Sequence, residues 1–177
     1  MRIFFTVQEI QEAMAIKITK NTIIVSGAVV VIALGFFLSI NNQKINTAHA
    51  ALLRDVEITV YKSPTCGCCG AYISYLKNQG ARVSVQETEK MNDIKSQYEV
   101  PVLLESCHTS IIGDYVVEGH VPAEAIRKLL DERPTIAGIS LPEMPAGSPG
   151  MGGTKLAPFR IHSITSDGKD GGIFVEL

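Results

Sequence analysis

Cys66-Gly67-Cys68-Cys69 sets three thiols within four residues, at the junction of two segments of opposite periodicity. Before it, VEITVY (56–61) alternates and is β-rich, which predicts a strand. KSPTCGCCG reads as the connecting loop. After it, AYISYLKNQ carries Ala71, Tyr72, Ile73, Tyr75 and Leu76 and is stopped by Gly80, which predicts a short helix. A Cys-x-x-Cys pair, Cys66 and Cys69, therefore opens a helix. Free N–H groups and the helix dipole favour thiolate there, and thiolate is both nucleophile and metal ligand. A chain with this junction is constrained to begin as a β-α unit.

The remaining segments continue that alternation. ARVSVQE reads as a second strand with Val83 and Val85 inward, and MNDIKSQY as a short helix. Val100-Pro101 opens VPVLLES, a candidate buried strand, and after a turn at Gly113-Asp114 the run YVVEG returns as a fourth strand. AEAIRKLLDER, begun at Pro122, predicts a helix with Ile126, Leu129 and Leu130 on one face. The order β-α-β-α-β-β-α is that of an α/β layer structure of the thioredoxin fold. That assignment carries the expectation of a cis Val100–Pro101 bond facing the cysteines. Residues 51–133 form this domain; 134–177 are an extension, rich in Met, Pro and Gly to residue 158, expected to wrap over it irregularly. Its tail, FRIHSITSDGKDGGIFVEL, is a candidate hairpin about Asp167-Gly168.

The third thiol, Cys68, is poor for simple dithiol exchange because wrong pairings compete, but it suits bridging between soft ions. Cys107-His108 adds a fourth thiol and an imidazole, and His120 follows the fourth strand. Met144 and Met151 add candidate thioethers in the extension. Thiolate, imidazole and thioether are the donor set of Cu(I); thiolate with imidazole also suits zinc. The spacing is not that of a zinc ribbon, whose two Cys-x-x-Cys knuckles stand roughly 15–20 residues apart. The residues thus specify a soft metal, copper before zinc. Two other readings stay open. In a thiol–disulfide oxidoreductase, Cys66 would be nucleophile and Cys69 resolving thiol. In a disulfide-stapled module, pairs such as Cys66–Cys69 and Cys68–Cys107 would be structural. His162, on the tail's predicted strand, reads as a surface or packing residue.

All four cysteines lie beyond residue 50. Residues 22–40, TIIVSGAVVVIALGFFLSI, are an uncharged apolar run preceded by Lys17 and Lys20 and followed by Ala48-His49-Ala50. This is the order of a secretory signal cleaved after Ala50, which would take His49 with it. The run is also long enough to be a membrane anchor (~20 residues). In either case the cysteines are exported. Glu9 and Glu12 are out of place in a signal's first region, and a start at Met14 would give the basic MAIKITKN. The net charge of -2, with 12 Lys+Arg against 16 Asp+Glu from residue 51 onward, excludes a basic nucleic-acid footprint.

VYKSPTCGCCG, VPVLLESCHTS, YVVEGHVPAEAIRKLLDERP and MPAGSPGMGG together resemble the CopG-type family of periplasmic copper-resistance proteins, which are thioredoxin-like metal binders. The likeness spans roughly residues 56–153, with every motif cysteine and histidine in place. It implies export, copper tolerance, and a copper cluster bridged by Cys66, Cys68, Cys69 and Cys107. It further implies nitrogen ligation by His108 and His120, capping by the Met-bearing extension, interconversion of Cu(I) and Cu(II), and delivery to a copper-efflux or other periplasmic copper-handling partner.

Overall fold

Strand β1 (Glu57–Lys62) buries every second residue, Ile58, Val60 and Lys62, on one face, as its alternation requires. It belongs to a computed structural model that describes residues 51–177. The apolar run at 22–40, the cleavage signal and the alternative start lie outside those residues. Among the described residues, no helix is long and apolar enough to cross a membrane.

β1 lies inside the sheet, parallel to β2 (Arg82–Glu87) on one side and antiparallel to β3 (His108–Ile112) on the other. Helix α1 (Gly67–Asn78) begins inside the cysteine run, with Cys66 as its N-cap. Its buried residues, Cys69, Tyr72, Ile73 and Leu76, recur at three- and four-residue spacing and so share one face. Two bonds close its C-terminus, from Gly80 N–H to the Lys77 carbonyl (2.9 Å) and from Ala81 N–H to the Leu76 carbonyl (3.1 Å). Helix α2 (Met91–Gln97) is short and buries only Lys95.

Helix α3 (Ala123–Glu132) follows β4 (Tyr115–Glu118) and buries Ala123, Ala125, Ile126 and Leu129. The expected order of strands and helices is therefore observed, with four departures. VPVLLES is not a strand. Pro101 opens a 3₁₀ turn, Val102–Leu104, closed by a bond from Leu104 N–H to the Pro101 carbonyl (2.8 Å). Val102 and Leu103 are 81% and 86% exposed, and Val100 and Leu104 are the apolar residues that reach the core. The strand begins later, at His108, so the Cys107-His108 pair stands at its start rather than its end. The Val100–Pro101 bond is trans, since no cis peptide occurs among the described residues. Val85 does not point into the core. β2 is an edge strand with a neighbour on one side only, and Val85 is 37% exposed while Val83 packs partly against the core.

The largest departure is in the extension, which is only in part an irregular wrap. Gly138–Ser140 forms β5, parallel to β4. β5 in turn pairs antiparallel with β6 (Arg160–Ile164), and β6 with β7 (Asp170–Glu176), the hairpin expected about Asp167-Gly168. The result is one mixed α/β sheet of seven strands in the order β2-β1-β3-β4-β5-β6-β7. The long segment between β5 and β6 lacks regular structure. Ile139, Leu141, Phe159 and Ile161 join the same apolar core as Ile58, Val60, Leu76 and Ile126. Burying about 2 kcal/mol of apolar side chain at each such position makes the extension part of the folded unit.

Candidate metal centre

Three chain crossings bring the donors together. The β1–α1 junction supplies Cys66, Cys68 and Cys69; the start of β3 supplies Cys107 and His108; the residues after β4 supply His120. β1 pairs with β3 so that Lys62 lies opposite His108, which places the end of β1, just before the cysteine run, beside the start of β3, just after Cys107. β3 and β4 form a hairpin, and Gly119 N–H donates to the His108 carbonyl at 2.9 Å. Gly119 has φ +78°, and a Cβ there would stand 2.5 Å from Ser106 Oγ and 2.7 Å from the Leu141 carbonyl. Only glycine lets the chain turn so tightly against Ser106 and carry His120 back over the cysteines.

Two overlapping groups result. Cys66, Cys68, Cys69 and Cys107 form the first, and Cys69, Cys107, His108 and His120 the second; within each, the donor atoms lie within 4.8 Å of one another. Cys69 and Cys107 are common to both. Cys66 and Cys69 are joined in a disulfide, while Cys68 and Cys107 are free thiols. The Cys68–Cys107 pair of the disulfide-stapled reading is therefore not formed. Cys66 Sγ and Cys68 Sγ are 3.6 Å apart. Cys69 is fully buried, and the other three cysteines are half-buried.

The histidines are not surface groups: both are fully buried. His120 Nδ1 lies 2.6 Å from the Pro149 carbonyl. A carbonyl only accepts, so Nδ1 carries the proton and Nε2 directs its lone pair at Cys107 Sγ, 3.1 Å away. His108 Nδ1 is also 3.1 Å from Cys107 Sγ. That leaves His108 Nε2 buried without a partner. Tyr72 packs tilted against both imidazoles, 4.7 Å from His108 and 5.0 Å from His120, and its hydroxyl donates to the Val121 carbonyl at 2.8 Å. The ring packing fixes both imidazole planes.

Burial sets the protonation. It drives the Cys107 thiol up to about 12, with the neighbouring Cys68 adding to the effect and the Ser106 hydrogen bond opposing it. Burial, reinforced by His120 and Lys95, drives His108 down to about 3. His120 is lowered by burial as well, against the Pro149 bond. Near neutral pH both imidazoles are thus neutral and Cys107 is protonated. A cation entering the group would displace the thiol proton and find two unprotonated nitrogens. An orphaned buried nitrogen beside converging sulfurs is what a soft-metal centre requires, so the residues present fit such an ion.

Met144 and Met151 lie in the segment between β5 and β6. Met144 is 39% exposed and stands with Glu143 in left-handed backbone conformation. Met151 is half-buried and follows Gly150, whose backbone packs directly against Tyr72 of α1. His162 sits on β6 and pairs with Asp170 of β7 (3.1 Å), away from both donor groups, as a surface histidine would. Two residues at the centre were not foreseen. Lys95 and Glu118 form a buried ion pair behind Cys107. Glu118 lies within YVVEG, whose alternation signals a strand but says nothing of its acid being inside.

Comparison with known proteins agrees with this geometry. Residues 104–151 match a family described as a protein of unknown function, DUF411. No curated protein matches the chain. Two solved structures, both of a copper resistance protein copG (forms 1 and 2), superpose with a TM-score of 0.64 at 36% sequence identity. They cover 70% of this chain, and the match covers 99% of form 2 and 98% of form 1. The chain belongs to the CopG-type copper-resistance family.

Proposed function

We propose that this CopG-type protein is an exported copper-binding protein of copper resistance. Its cargo would be Cu(I), held by the thiolates of Cys66, Cys68, Cys69 and Cys107 with His108 and His120. The observation that carries the proposal is the convergence of four sulfurs and two imidazoles in two donor groups sharing Cys69 and Cys107. Sulfurs common to two groups are suited to bridging, which supports a site for more than one ion. Mixed thiolate–imidazole ligation serves both copper oxidation states, which supports interconversion of Cu(I) and Cu(II). In this reading Met144 and Met151 add thioethers from the segment that packs on Tyr72, and a copper-efflux or periplasmic copper-handling protein receives the metal. The thioredoxin-like assignment rests on β1–β4: their order β2-β1-β3-β4, with β2 parallel to β1 and β3 and β4 antiparallel, places a Cys-x-x-Cys at the start of the first helix.

The disulfide withholds two of the four sulfurs, so binding needs its prior reduction to two thiols. The test is anaerobic Cu(I) titration of the reduced full chain against a competing chelator, with retained metal counted after desalting. Several copper ions per chain, reduced in Cys68→Ser, support the reading; none retained overturns it. The Cys66–Cys69 disulfide at a helix N-terminus favours a second reading, thiol–disulfide exchange with Cys66 as nucleophile. Disulfide-reductase activity that survives both Cys68→Ser and Cys107→Ser, without copper retention, would select it.

A further inference from the structure

Glu118 is fully buried on β4, and each of its carboxylate oxygens is occupied. Oε1 accepts from Lys95 Nζ of α2 and from the Ser106 backbone N–H at 2.7 Å. Oε2 accepts from Thr109 Oγ1 of β3 at 2.7 Å. Ser106 and Thr109 are the residues on either side of Cys107-His108. One carboxylate therefore clamps both ends of the dipeptide that carries a sulfur and an imidazole of the metal centre. Two residues beyond Glu118 the same chain places His120, whose Nε2 meets Cys107 Sγ. From this bracketing we propose that Glu118, paired with Lys95, is the positioning residue of the metal centre, setting the Ser106–Thr109 turn so that Cys107 and His108 face the α1 cysteines. The inference rests on the copper reading above.

A buried ion pair is weak grounds for a stabilising role, because an apolar pair of similar volume usually folds as well. What an apolar residue cannot do is accept the Ser106 N–H. This separates positioning from bulk stability. The Lys95 ammonium supplies the charge that lets the carboxylate stay in a site where burial otherwise favours its protonated form. Removing Glu118 alone would strand Lys95, so the pair has to be exchanged together.

Three full-length variants test the proposal, each checked for folding by circular dichroism and melting. Lys95→Met/Glu118→Leu removes the charges and the acceptor. Lys95→Met/Glu118→Gln removes the charges and keeps an amide oxygen for Ser106 N–H. Ser106→Pro deletes that N–H together with the Ser106 hydroxyl and leaves the pair intact, and it is read against Ser106→Ala, which loses the hydroxyl alone. Cu(I) affinity is read by chelator competition, and hydrogen exchange of the Ser106 amide is read in the metal-free protein where it remains. Expected is an affinity at least tenfold weaker for the Leu double variant and for Ser106→Pro. The Gln double variant is expected within threefold of wild type, with the Ser106 amide protected in it and fast-exchanging in the Leu variant. Wild-type affinity in the Leu double variant overturns the proposal, as does failure of Gln to restore it. If the Leu variant does not fold, Ser106→Pro decides alone, and unchanged affinity there overturns the proposal. Wild-type protein that retains no copper instead refutes the copper reading, with the amide exchange still reporting on the clamp.

Discussion

His108 makes the metal-free protein acid-sensitive by an amount the structure sets. Its ring is fully buried between Tyr72 and His120, beside Cys107 Sγ, and within the field of Lys95. Unfolded, the ring titrates near 6.5; folded, burial and then the neighbouring His120 and Lys95 hold it down to about 3. A depressed folded value means that the unfolded chain binds the extra proton. The contribution is whole above about pH 6.5, declines as the pH falls, and is exhausted near pH 3. At 1.36 kcal/mol per pH unit, stability between pH 7 and pH 4 falls by roughly 3 kcal/mol from this ring alone. For a unit of this size that is a melting shift of about 10 °C. The assay is urea unfolding of the oxidised, metal-free protein at pH 7, 5.5 and 4, beside His108→Gln. The variant keeps every carboxylate, Glu118 and His120, so subtraction isolates the ring. Wild type should lose about 3 kcal/mol more than the variant. Parallel loss within about 0.5 kcal/mol would refute the argument that burial keeps His108 neutral and ready as a ligand.

Two further perturbations probe the same centre from its other walls. Gly150→Ala would set a Cβ 2.5 Å from Tyr72 N at a φ of +77°, so the 148–151 segment should lift from α1 and break the His120–Pro149 bond. A loss of about 2 kcal/mol in unfolding free energy, with disappearance of the protected His120 Nδ1–H resonance in NMR, is expected; retention of that resonance would count against the packing described. In Cys69→Ser, Cys66 loses its partner while Cys68 Sγ stays 3.6 Å away, so a Cys66–Cys68 disulfide should form in air. Peptide mapping by mass spectrometry reads this directly, and free thiols at both positions would contradict it.

Much of the organisation was legible in the residues because it is local. The alternation of VEITVY, the i, i+3, i+4 spacing of α1 and the Asp167-Gly168 turn each lie within a dozen residues, and each formed as the periodicity demands. The cysteine run at a strand–helix junction likewise declared a thiol centre, and Cys107, His108 and His120 were singled out by chemistry alone. What local pattern could not tell was set by partners distant in the chain. Gly138–Ser140 is three residues long and becomes a strand only because β4 and β6 lie on either side of it. VPVLLES is as apolar as a core strand, yet Val102 and Leu103 face solvent, since β3 already fills the place beside β1. Val85 looks inward in sequence and is exposed because β2 ends the sheet. No local pattern marks Lys95 and Glu118 as buried, yet both are, each tolerable there only through the other. The donor types and their order were thus determined by the sequence itself. Which sulfurs pair, which imidazole is left with an open nitrogen, and which carboxylate holds them in place were decided by tertiary structure, because burial and hydrogen-bond partners exist only once distant segments meet.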